Sequence, residues 1–149
     1  MSVNRRISIR YWAPVIVWMG VVFLMSTEIF SMRNTSLIVG PLILFFVPNI
    51  SARDLDMVHR LIRKSGHFTE YFILGLLLFR AFRAGSPRMR AKQWAFSSIA
   101  VVLLYAAGDE LHQALVSART ASVVDVGIDT AAGIIAQGAA LLKIRCILK

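Results

Sequence analysis

The sequence has one cysteine, Cys146, so no disulfide can form within the chain, and its place among the last residues offers no spacing for a metal site. Acidic residues are scarce, eight against 17 basic ones, for a formal net charge of +9. Charged residues of both signs make up 17% of the 149 positions, few for a soluble domain of this size. There is no internal repeat, no low-complexity tract and no break in composition that would mark a second domain. A small-residue cleavage site is also missing after the first apolar run, where Met25, Ser26, Thr27, Glu28, Ile29 and Phe30 follow. This favours a retained membrane anchor over a removed signal peptide.

What fills the chain is apolar surface: 57% of residues are hydrophobic and the mean hydropathy is +0.66. A single core of this length cannot bury so much, so part of it must face lipid. Four runs approach the roughly 20 residues needed to cross a hydrocarbon layer of about 30 Å: residues 11–27, 66–82, 94–116 and 123–142. A fifth run, within residues 37–50, is too short to cross and is interrupted by Pro41 and Pro48. It reads as an interfacial or re-entrant piece.

The basic residues sit in short clusters between the apolar runs, which argues for orientation in a membrane and against a nucleic-acid surface. With the N-terminus cytoplasmic, the inner side carries Arg5, Arg6, Arg10, Arg80, Arg83, Arg88, Arg90, Lys92, Lys143, Arg145 and Lys149, eleven basic residues and no acidic one. The six remaining basic residues and all eight acidic ones fall on the outer side or in the outer halves of the helices. The expected fold is therefore all-α: an inner-membrane, multi-pass bundle of four transmembrane helices, N-in and C-in. Gly85, Ser86 and Pro87 break the chain between the second and third spans. Ser51 and Asp54 have capping-box spacing, and Leu55, Val58, Leu61 and Ile62 follow at helical intervals. A short extracytoplasmic amphipathic helix leading into the second span is expected there.

Polar residues inside the spans carry the chemistry. On the second span Lys64, His67 and Tyr71 lie near one line, with Arg63 and Glu70 beside it, and His67 and Glu70 are surface neighbours. On the third, Tyr105, Asp109, His112 and Gln113 share a face, with Glu110 about a quarter-turn away. On the fourth, Asp125 and Asp129 continue a face of Ala132, Ala136 and Ala140, with Gly133 beside it, small residues that permit close helix approach and a possible homo-oligomer seam. At 1.5 Å per residue, His67 and Asp109 each stand roughly 22 Å above the inner boundary, and Asp125 and Asp129 bracket that height. The three faces are thus expected to meet just below the outer interface. A charge facing lipid costs several kcal/mol, so these residues should point inward and pair, with Arg119 available to cover the acids.

Plainer readings stand beside these. Asp125, three residues after Ser122, has the spacing to complete a capping box. His67 and Glu70 suit an inter-helix hydrogen-bonding pair, Arg63 and Lys64 can extend to lipid headgroups, and Tyr71 and Tyr105 suit packing positions whose hydroxyls need a partner. Asp109 and Glu110, adjacent acids in an apolar helix, have no inexpensive structural explanation.

The run Arg63-Lys64-Ser65-Gly66-His67-Phe68-Thr69-Glu70-Tyr71 followed by Leu74-Gly75, the run Gly108-Asp109-Glu110-Leu111-His112-Gln113, and Arg119, Ser122, Asp125 and Gly133 at their mutual spacing resemble the VanZ-like family. The resemblance spans residues 63–138. Asp129 stands where that family usually has Asn, and Ser117-Ala118 replaces a common Pro-Gly. The resemblance implies a membrane protein associated with resistance to the glycopeptide teicoplanin, without naming a reaction.

The expected function is action at the outer leaflet on a cell-envelope lipid or amphiphile, with Lys64, Tyr71, Gln113, Arg119, Asp125 and Asp129 as the binding set. The alternative is an intramembrane hydrolase or transferase on lipid-linked envelope precursors, with His67, Glu70, Asp109, Glu110 and His112 as candidate catalytic groups. No Ser or Cys nucleophile lies inside the cluster, so water must attack in that case. A metal site of His67, Asp109, His112 and Asp125 is a third reading, disfavoured because no compact ligand motif is present. No cofactor is expected. The expected partner is a membrane lipid or lipid-linked envelope component.

Overall fold

The structure, a computed structural model, describes residues 2–27, 32–86, 88–115 and 122–147, without the side chains of 2–8, 32–35 and 147. The described elements are five helices: α1 Ser2–Met25, α2 Met32–Phe46, α3 Ala52–Gly85, α4 Ala91–Leu115 and α5 Val123–Ile147. α3 packs most extensively on α5, α4 also packs on α5, α1 lies along α3, and α2 rests on α3.

The boundaries follow from local chemistry. The Ser51 side chain accepts the Asp54 N–H at 3.1 Å and its hydroxyl donates to Asp54 Oδ2 at 2.7 Å, so the Ser51/Asp54 spacing does cap a helix. That helix runs on without interruption for 34 residues, so the expected amphipathic helix and second span are one element, about 51 Å long. Arg60 pairs with Asp56 one turn away on its exposed first part. α3 ends where the Ser86 N–H returns to the Phe82 carbonyl at 2.9 Å. Trp94 Nε1 donates to the Ser86 carbonyl at 2.9 Å, and Gln93 Oε1 accepts the Arg90 N–H at 2.7 Å to cap α4.

The distribution of polarity is inverted relative to a soluble bundle. Phe96, Leu104, Leu111, Leu115, Val124, Ile134, Ile135 and Leu142 are exposed, while Ser98, Asp109, Glu110, Gln113, Asp129 and Gln137 are buried. That is the pattern a helix bundle needs when its solvent is hydrocarbon. Ala91–Leu115 and Val123–Cys146 are long and apolar enough to cross a membrane; Ile9–Met25 and Ser36–Phe46 are shorter apolar helices.

α3 and α5 touch through their backbones. A Cβ placed on Gly75 would lie 3.0 Å from Ala136 Cβ and 3.3 Å from Gly133 Cα, and one placed on Gly133 would lie 2.8 Å from Val102 Cγ1. Gln137 Nε2 donates to the Gly75 carbonyl at 3.0 Å across the same contact. The small-residue face expected to offer a dimer seam is therefore used within the chain: Ala132 and Ala136 are inaccessible, and Gly133 is covered by Val102. Within the chain the partners of that face are α3 and α4, and Ala140 at its far end is half-buried.

Candidate functional site

Successive turns of α3 bring Arg63, Lys64, His67 and Tyr71 to the interface with α4 and α5. Two polar connections run from the Arg63/Lys64 turn into the bundle. Arg63 donates to Gln113 Oε1 at 3.0 Å, and Gln113 Nε2 donates to Asp109 Oδ2 at 3.0 Å. Lys64 Nζ donates to Asp125 Oδ1 at 3.0 Å, an ion pair in which the lysine is part-exposed and the carboxylate mostly covered. These two cations thus reach inward to named partners instead of extending away from the bundle.

Deeper in, partners run out. His67 Nδ1 faces Asp129 Oδ2 at 3.6 Å, outside direct hydrogen-bond distance, and Asp129 is fully buried at 0% exposure. Both Asp129 oxygens, His67 Nδ1, the Tyr71 hydroxyl, Glu110 Oε1 and Thr130 Oγ1 are buried without a hydrogen-bond partner among the described residues. Asp109 and Asp125 are close enough to act electrostatically on Asp129, and Asp109 and Asp129 on Tyr71. An unpartnered polar group in a dry interior costs of order 1 to 3 kcal/mol, and more if charged. Such atoms on α3, α4 and α5 mark a place where a further partner belongs.

The layer is closed on the Gly85 side. Further along the same faces come Leu74, Leu78, Val102, Ala106 and Ala132, all inaccessible. The result is a polar well with an apolar floor, beyond which Ser98 and Gln137 are again buried polar groups, and Arg63 and Lys64 flank its opposite end.

Other expected site residues are placed differently. His112 packs its ring on Phe23 of α1, with centroids 4.9 Å apart, so the histidine that faces a buried acid is His67. The carboxylate opposite His67 Nδ1 is Asp129 on α5; Glu70, its neighbour on α3, lies within electrostatic reach of the ring. Glu110 is buried, and its Oε2 accepts the Ser122 N–H at 2.7 Å, tying the end of α4 to the start of α5. Asp125 is therefore free of the expected capping role: its side chain takes Lys64, and only its backbone N–H turns to the Ser122 carbonyl, at 2.9 Å. Tyr105 is a packing residue with its hydroxyl satisfied by the Met19 carbonyl at 2.6 Å. Arg119 lies outside the described residues. Among the described residues no three His, Cys, Asp or Glu side chains are grouped to hold a metal ion.

Two residues of α5 with buried polar atoms were missed in the sequence. Gln137 continues the every-fourth-residue row of Asp125, Asp129 and Gly133, a signal that was available. Thr130 has no such signal, because a threonine beside an acid is unremarkable in any helix.

No curated protein and no solved structure matches the chain. The family model described as VanZ/LLP1 matches residues 11–144, which takes in α1 as well as the three helices that build the well. On that match, which covers nearly the whole chain, the protein belongs to the VanZ/LLP1 family.

Proposed function

We propose that this VanZ/LLP1 protein crosses the inner membrane four times, through α1, α3, α4 and α5, with both termini cytoplasmic, and that its well binds the polar head of an envelope lipid or amphiphile in the outer leaflet. The orientation rests on the eleven basic residues at one end of the helices against six at the other. Arg80 over the Tyr11 ring at 5.0 Å suits an anchor at the inner interface. α2, apolar but short, then lies at the outer interface against the first turns of α3.

The observation that carries the binding reading is Asp129: fully buried, with neither carboxylate oxygen hydrogen-bonded among the described residues, in a well whose floor is apolar. In keeping with the family's association, the amphiphile class includes lipid-tailed glycopeptides. A sensitive host expressing the wild type should gain protection against teicoplanin and not against untailed vancomycin, and Asp109→Asn at matched membrane abundance should lose it. Equal protection against both drugs, or protection unaffected by the substitution, would refute this.

One observation favours a catalytic alternative. His67 Nδ1 opposite a carboxylate is the arrangement in which an imidazole is oriented as a general base for an attacking water. Incubation of the purified protein with a lipid-linked envelope precursor should then yield a hydrolysed or transferred product that His67→Ala abolishes. An unchanged precursor rules this reading out.

A further inference from the structure

The chemistry of the unpartnered atoms narrows the ligand. Charged and titratable groups facing the well come from three helices: Arg63, Lys64, His67 and Glu70 on α3, Asp109 and Glu110 on α4, and Asp125 and Asp129 on α5. Lys64 is paired with Asp125, and Arg63 is hydrogen-bonded to the neutral amide of Gln113. The atoms left over at depth include three carboxylate oxygens, Asp129 Oδ1, Asp129 Oδ2 and Glu110 Oε1, and these only accept hydrogen bonds when ionised. The Tyr71 hydroxyl can accept as well.

Resting on the headgroup-binding reading, we propose that the group the well receives is a primary ammonium. Its N–H donors suit the open oxygens of Asp129 and Glu110, which both lie within electrostatic reach of His67, and its charge offsets two acids that no Lys or Arg pairs with among the described residues, His67 at 3.6 Å being the one basic group facing Asp129. A phosphate or carboxylate brings acceptors to acceptors and like charge to like. A quaternary ammonium brings charge without donors and leaves the oxygens unsatisfied. The amine can belong to a lipid headgroup or to a soluble molecule, and the two sources are separable.

The test uses the full-length protein in detergent, with native mass spectrometry of bound lipid. Phosphatidylethanolamine, phosphatidylcholine and phosphatidylglycerol of identical acyl chains are supplied in equal amounts. Phosphatidylethanolamine should be retained at least ~10-fold over the other two. Asp129→Asn and Glu110→Gln should each reduce that preference ~10- to 100-fold, the range of a lost charge-assisted hydrogen bond. The ranking of lipids on the wild type needs no variant, so it stands even where a substitution impairs folding. Displacement of the lipid by millimolar ethanolamine assigns recognition to the amine alone, and resistance to displacement assigns it to the lipid-borne amine.

Equal or tighter retention of phosphatidylglycerol, or a preference untouched by both acid substitutions, overturns the ammonium while leaving headgroup binding intact. Failure to retain any of the lipids, together with failure to bind ethanolamine, removes both readings.

Discussion

His67 on α3 and Asp129 on α5 face one another at 3.6 Å, with the carboxylate inaccessible and neither group hydrogen-bonded there among the described residues. They sit above an α3/α5 contact so close that a Cβ placed on Gly75 would lie 3.3 Å from Gly133 Cα. Both residues belong to helices, so their facing arrangement follows from the packing of α3 on α5.

The α4/α5 contact at Gly133 predicts a specific intolerance. Gly133→Ala places a Cβ 2.8 Å from Val102 Cγ1 and should destabilise the fold by about 1 to 3 kcal/mol, read as a lowered Tm in detergent. Because the clash is with one side chain, Gly133→Ala combined with Val102→Ala should cost less than the sum of the two single changes. Strict additivity would show that the two helices are further apart.

Gln113 predicts a different kind of loss. It bridges Arg63 and Asp109 with its two amide ends, so Gln113→Leu strands a half-buried guanidinium and a buried carboxylate together. A cost of about 1 to 3 kcal/mol is expected from thermal unfolding, and Gln113→Glu should not restore Asp109's partner, because it replaces the donor with an acceptor. An unchanged Tm for Gln113→Leu would contradict the bridge.

Lys64 and Asp125 predict a small effect. With the lysine side chain 42% exposed, Lys64→Met should cost no more than about 1 kcal/mol of stability. A loss of several kcal/mol would mean that the pair is drier than its exposure indicates.

Topology has a direct chemical handle. Cys146 is the chain's one cysteine and is exposed at the end of α5, so a membrane-impermeant maleimide reports the location of that end without further engineering. Inverted vesicles should label, and intact spheroplasts should not. Labelling of intact spheroplasts would place the C-terminus outside and overturn the orientation.

Much of this architecture was legible in the residues. Ser51 and Asp54 marked a helix start, the Gly85-Ser86 break marked a helix end, and the acids of α4 and α5 were expected to face inward because lipid cannot solvate them. Sequence spacing was weaker at choosing partners. It makes His67 and Glu70 neighbours on α3, yet the bundle turns His67 Nδ1 toward Asp129, since helical periodicity does not say where the next helix lies. His112 shows the same limit: it is three residues from Asp109, and its ring packs on Phe23 of α1, a contact that helical spacing does not reveal. The Ala132/Gly133/Ala136 face correctly indicated a close contact, but pattern alone does not distinguish a second copy from a helix of the same chain.

The most direct test of the central claim, that the buried acids form a ligand site, is the amphiphile content of protein extracted from its own membrane. The wild type and the Asp109→Asn/Glu110→Gln double variant would be purified through the same detergent exchange, checked for equal folding, and their bound molecules extracted and weighed by mass spectrometry. A near-stoichiometric amphiphile on the wild type that is depleted at least ~10-fold in the variant is the expected result. Equal content in both proteins, or none in either, would contradict a ligand site at these acids.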